Sequence, residues 1–128
     1  MTCKNTLERA AKIMEYRGWC DGSLIDRSGR CCMLGAIFLA ATGSDESQVQ
    51  PLDYKPGKGA IAYAEFITKH ELQDAIHAVC EELSLVPEEL PEFRAIYSWN
   101  DEQTYNDEPM ENCITVLNLA ATHCKDQT

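Results

Sequence analysis

The sequence has no apolar run near the ~20 residues that a membrane span needs, and no membrane-spanning segment is expected. Its first twenty residues, MTCKNTLERAAKIMEYRGWC, hold neither an apolar core region nor a small-residue cleavage site, so no secretory signal is expected. Basic residues are few: 11 Lys and Arg stand against 21 Asp and Glu, a net charge of −10. A sequence-general DNA or RNA binder needs the opposite sign, and an anionic membrane surface is disfavoured for the same reason. Catalytic signatures are missing as well. There is no GxGxxG, no P-loop, no GxSxG and no HExxH, which weighs against an enzyme built on any of them.

What is present is enough for one globular domain spanning residues 1–128. Hydrophobic residues make up 45% and charged residues 25%, which is an ordinary soluble balance. The chain is long enough to bury a core without a structural metal or disulfide staples. The acidity is unevenly spread. Residues 1–32 are net +2, residues 33–80 net −3, residues 81–111 net −9 and residues 112–128 neutral. A run of this kind serves at least as a solvated face. It also serves to dock a basic partner, because charge complementarity raises association rates and selects partners. Glu81, Glu82, Glu88, Glu89 and Glu92 are the residues expected to carry such docking.

Apolar spacing predicts a mainly helical (α+β) fold: a compact bundle of about five helices with one small β-hairpin near residues 20–33. Leu7, Ala10, Ala11 and Met14 share one face of a first helix from about Asn5 to Arg17, and Gly18 stops it. Leu24 and Ile25 form one arm of the hairpin, Asp26–Gly29 the turn, and Cys31, Cys32 and Met33 the return arm. Leu34, Ile37, Phe38 and Ala41 mark a second helix in which Gly35 and Ala36 would admit a close helix neighbour. Residues 44–59 read as a loop and 60–68 as a helix. Leu72, Ala75, Ile76, Val79, Cys80 and Leu83 make the most regular stripe in the chain, with a capping-box form at Thr68–Glu71. Residues 87–91 are a break, and Phe93, Ile96, Tyr97 and Trp99 form an aromatic segment. Residues 100–107 read as a polar loop. A last helix from about Pro109 to His123 buries Cys113, Val116, Leu117, Ala120, Ala121 and Cys124.

Seven cysteines are many for this length. The odd count and the lack of a signal argue for reduced thiols and a cytoplasmic setting rather than a disulfide framework. Cys80, Cys113 and Cys124 fall on apolar stripes as small core residues, and Cys3 sits near a terminus expected to fray. No CxxC pair is present. His77 and Cys80 have a legal ligand spacing but fall on different sides of their helix, so no metal or other cofactor is expected. Cys31 or Cys32, just ahead of the second helix, is the placement that would suit a thiol nucleophile, although no base is placed beside it by sequence.

Three motifs occur in a fixed order: Gly18-Trp19-Cys20 after an amphipathic helix, then Met33-Leu34-Gly35-Ala36 at the end of Asp26–Ala36, then Trp99-Asn100-Asp101 before the last helix. In this order they resemble a family of small uncharacterised proteins, a domain of unknown function, from actinobacteria and their phages. The resemblance implies the cytoplasm of an actinobacterial host and supplies no activity. Each motif also has a packing or capping reason to exist.

Two functions compete. The first is a small acidic, phage-encoded accessory protein that binds a host protein through the 81–111 face. The second is a binder of a nucleotide-like small molecule, with Trp19, Tyr97, Trp99 and Asn100 as pocket walls and Arg17, Arg27 and Arg30 as cations. A cysteine-dependent enzyme ranks below both.

Overall fold

The computed structural model describes residues 2–42, 52–53, 70–84 and 92–124. Over these the fold is mainly helical: α1 (Cys3–Arg17), α2 (Met33–Thr42), α3 (His70–Glu82), α4 (Glu92–Glu102) and α5 (Pro109–Ala121), with a 3₁₀ turn at Gln103–Tyr105. Two short strands, β1 (Ser23–Ile25) and β2 (Leu52–Asp53), pair antiparallel. The loop and helix expected within 44–68, apart from β2, and the break at 87–91 lie outside the described residues.

α1 starts earlier than its apolar stripe because Thr2 caps it. The Asn5 amide donates to Thr2 Oγ1 at 3.1 Å. The helix stops at Gly18, whose φ of 98° is closed to most side chains and whose N–H returns to the Met14 carbonyl at 2.7 Å. The expected stripe, Leu7, Ala10, Ala11 and Met14, is buried. It packs against α2 and, antiparallel, against α5. Met33, Leu34, Ala36, Ile37, Leu39 and Ala40 are all buried, so α2 is covered on nearly every side rather than along one face. It is the central helix of the bundle. Ala75, Ile76, Val79 and Cys80 of α3 and Cys113, Leu117, Ala120 and Ala121 of α5 complete the core, each large side chain contributing about 1.5–3 kcal/mol by burial. α4 turns the aromatic segment into a regular helix that buries Ile96 and extends through Asn100 and Asp101, which the polar composition had placed in a loop.

The segment 20–33 corrects the hairpin expectation in part. The turn forms where expected, with the Gly29 amide donating to the Asp26 carbonyl and Gly29 at φ 86°. Its return arm is short: Cys31 pairs antiparallel with Ile25, with the Asp26 amide donating to the Arg30 carbonyl and the Cys32 amide to the Leu24 carbonyl, while the Cys31 amide faces the other way, to the Gly18 carbonyl, in a second bridge to Trp19. Met33 is already helical, and β1 takes its ladder partner from Leu52 and Asp53.

The terminus expected to fray is fixed. Cys3 is buried in the first turn of α1 and forms a disulfide with Cys124, Cα to Cα 5.8 Å. The expectation of seven reduced thiols is corrected on this pair, because the antiparallel packing of α1 on α5 brings the start of one to the end of the other. The other five cysteines are free and buried.

Candidate functional site

The three sequence motifs meet at one buried side chain, Asn100, near the end of α4. Its Oδ1 accepts from the Trp19 indole Nε1 at 3.0 Å, from the Met33 amide at 3.1 Å and from the Cys113 thiol at 3.5 Å. Its Nδ2 donates to the Cys20 carbonyl at 3.1 Å and to Asp101 Oδ1 at 3.3 Å. Asp101 Oδ1 also accepts from the Gly22 amide at 3.1 Å. The geometry therefore binds α4 to the 18–23 segment, to the first residue of α2 and to α5. Gly35 is the other fixed point. A Cβ there would stand 1.9 Å from the Leu24 carbonyl oxygen, so the small residue admits strand backbone rather than a second helix.

This arrangement divides the residues expected to hold a small molecule. Trp19 and Asn100 are brought together, and Asn100 has its amide committed on both sides. Trp19, Trp99 and Tyr97 are half-buried against the core. Arg27 is exposed within the turn, and Arg30, its side chain 56% exposed, is paired through Nε with Asp26 Oδ2 at 2.7 Å. Arg17 is different. Its Nη1 donates to the Gly29 carbonyl at 2.9 Å, while Nε and Nη2 are buried and have no hydrogen-bond partner among the described residues. Those two groups form the side-on edge with which a guanidinium grips a carboxylate or phosphoryl group.

The free thiols near this hub do not form a nucleophile. Cys20 donates to the Ser23 and Arg30 carbonyls, and Cys31 to the Gly18 carbonyl. Burial pushes Cys20 and Cys113 up to about 12 and pushes Cys31 up too, with the neighbouring Cys32 adding to each. Protonated, hydrogen-bonded thiols are poor attacking groups. Cys32 accepts the Gly35 amide at 3.4 Å.

The acidic face separates into two parts. Glu81 and Glu82, on α3, are engaged with histidines. Glu81 meets His77 Nε2 at 2.8 Å and His123 Nδ1 at 3.8 Å, and Glu82 meets His123 Nε2 at 3.0 Å. Cys80 is buried in the core while His77 is exposed, so the spacing of that pair places them apart. Glu88 and Glu89 lie outside the described residues, and Glu92 is placed only as the first residue of α4. The second part was not singled out in sequence. Glu102, Asp107, Glu108 and Glu111 are exposed around the 3₁₀ turn, and Tyr105 stands 87% exposed among them. Residues 95–124 contain no Lys or Arg. Glu108 caps α5 at a φ of 58° without a side-chain bond to the helix. A hydrogen bond from its carboxyl, and then its charge, raise the pKa of Glu111. A tyrosine inside an acidic segment free of Lys and Arg was the available signal.

Among the described residues no helix is long and apolar enough to cross a membrane. The chain matches the model of a family of unknown function, DUF6197, over residues 1–122. No curated protein and no solved structure matches it.

Proposed function

Since the chain belongs to this family of unknown function, its reading rests on its surface, and we propose that it is a non-enzymatic interaction protein whose acidic face docks on a basic protein surface. Exposed Tyr105, in the same short segment as exposed Glu102, Asp107, Glu108 and Glu111, carries this reading. Tyrosine is enriched among the few residues that dominate interface energies, and the carboxylates of that segment supply steering and partner choice. In the phage setting implied by the motifs, the partner is a host protein in the host cytoplasm.

The pair Glu108–Glu111 adds a signature. A partner's Lys or Arg set between the two carboxylates favours their charged forms. Affinity then rises with pH across the carboxylate range and falls with salt. Partner capture from host lysate at low and high salt, followed by titration of the purified partner, tests this. Tyr105→Ala is expected to weaken binding tenfold or more with the melting temperature unchanged. Glu102→Gln, Asp107→Asn and Glu111→Gln together are expected to remove most of the salt dependence. Full affinity in both variants rejects the face.

The Arg17 edge, which has no partner among the described residues, favours the second reading, an anionic small molecule held near the 18–31 segment. Thermal stabilisation by nucleoside phosphates or dicarboxylates that is abolished in Arg17→Met, and kept in Arg27→Ala, would replace the first reading.

A further inference from the structure

The ends of the described chain meet beside a cavity of about 190 Å³. The Cys3–Cys124 disulfide forms part of its wall. His77, Glu81 and Asp74 line it from α3, and His123 lines it from just beyond α5. Glu81 lies between the two imidazoles, with one oxygen 2.8 Å from His77 Nε2 and the other 3.8 Å from His123 Nδ1. With the disulfide closed, no three His, Cys, Asp or Glu among the described residues are arranged to hold a metal ion. The two sulfurs are spent on each other.

We propose that reduction of Cys3–Cys124 turns this cavity into a zinc site, with Cys3, Cys124, His123 and His77 as ligands. The donor set is the two-thiolate, two-imidazole set that zinc takes in tetrahedral geometry. Two sulfurs on one such ion lie about 3.8 Å apart, set by Zn–S bonds of ~2.3 Å. With the Cα atoms 5.8 Å apart, rotation of the two side chains supplies that separation with the helices in place. Glu81 then serves as the carboxylate that orients a ligating imidazole. A dithiol reductant delivers two electrons and two protons, breaks the S–S bond and is itself oxidised to a disulfide. Zinc displaces the two thiol protons to solvent as it binds. The site is closed when oxidised and open when reduced. It joins residues 3 and 124 across the whole chain, so no short ligand spacing announces it.

The test uses the full chain in two states, oxidised and phosphine-reduced, the latter desalted without oxygen. Cobalt(II) serves as the spectroscopic stand-in, and zinc is titrated calorimetrically. The reduced protein is expected to bind one equivalent with thiolate-to-cobalt charge-transfer bands and tetrahedral d–d bands. The oxidised protein is expected to bind at least a hundredfold more weakly and without the charge-transfer bands. His77→Gln, at a side chain 60% exposed, keeps the fold and is expected to weaken zinc tenfold or more. Cys3→Ser with Cys124→Ser is expected to lose the charge-transfer bands. Equal affinity in both redox states overturns sulfur ligation. Bands that persist in the double serine variant assign the metal to other thiols and overturn the site. Helix lost on reduction and not restored by zinc, read by far-ultraviolet circular dichroism, overturns it as well.

Discussion

Asn100 shows how one amide can hold several elements. Removing it strands a helix-start N–H and a backbone carbonyl in the interior, and the indole N–H of half-buried Trp19. Each unsatisfied group costs about 1–3 kcal/mol. Asn100→Ala is therefore expected to lose roughly 3 kcal/mol or more in urea unfolding, with the indole fluorescence of Trp19 shifted. The buried thiols predict a pH effect. Cys20 and Cys113 hold their protons to about 12 when folded, against 9 for an ordinary thiol. Between those values the unfolded chain has lost protons that the folded chain keeps. Stability is thus fully present below pH 9 and falls as pH rises above it. Urea midpoints measured from pH 7 to pH 10 check the decline, and Cys20→Ala with Cys113→Ala should flatten it. The motif residues were legible as packing and capping residues, since tryptophan, asparagine and glycine each have local reasons to be there. That they converge on one amide was not, because Asn100 lies about eighty positions from Trp19 and Cys20.

At the scale of elements, the helices with a strong 3.6-residue stripe were legible to within a few residues: α1, α3 and α5. α2 was legible as a helix but not as the central one. A helix apolar on all sides has no stripe to point its buried face, so the spacing of Leu34 and Ile37 understated its burial. β1 was placed correctly, and so was its pairing with Cys31, but its ladder partner at Leu52 and Asp53 was not. Short strands carry weak local signal, and Leu52 lies beyond reach of any turn rule. Gly35 belongs to this scale, since it is where β1 lies on α2. Its substitution by alanine sets a methyl 1.9 Å from a carbonyl oxygen and 2.7 Å from its carbon. Neither is the end of a flexible side chain, so backbone must move. Gly35→Ala is expected to lower the melting temperature by well over 5 °C, about 2 kcal/mol or more by calorimetry. An unchanged value would mean that the contact is slack.

At the scale of the molecule, sequence reasoning gave the mainly helical class and the concentration of charge. It missed the covalent closure, because an odd cysteine count and a missing signal speak only to averages over proteins. Two cysteines 121 residues apart become neighbours through tertiary packing alone. A loop of this size restricts the unfolded chain by up to about 5 kcal/mol on the chain-entropy account. Cys3→Ser with Cys124→Ser is expected to be several kcal/mol less stable than the oxidised protein. Reduction of the native protein in the absence of metal should reproduce most of that loss, and denaturant curves in both redox states measure it.

The same bond has a mechanical meaning. A load applied to the chain on the two outer sides of Cys3 and Cys124 passes from one sulfur to the other and never reaches the helices between them. An oxidised molecule held in an optical trap by those two ends should therefore show no unfolding step. Chemical reduction in the trap should let the whole length between them pay out.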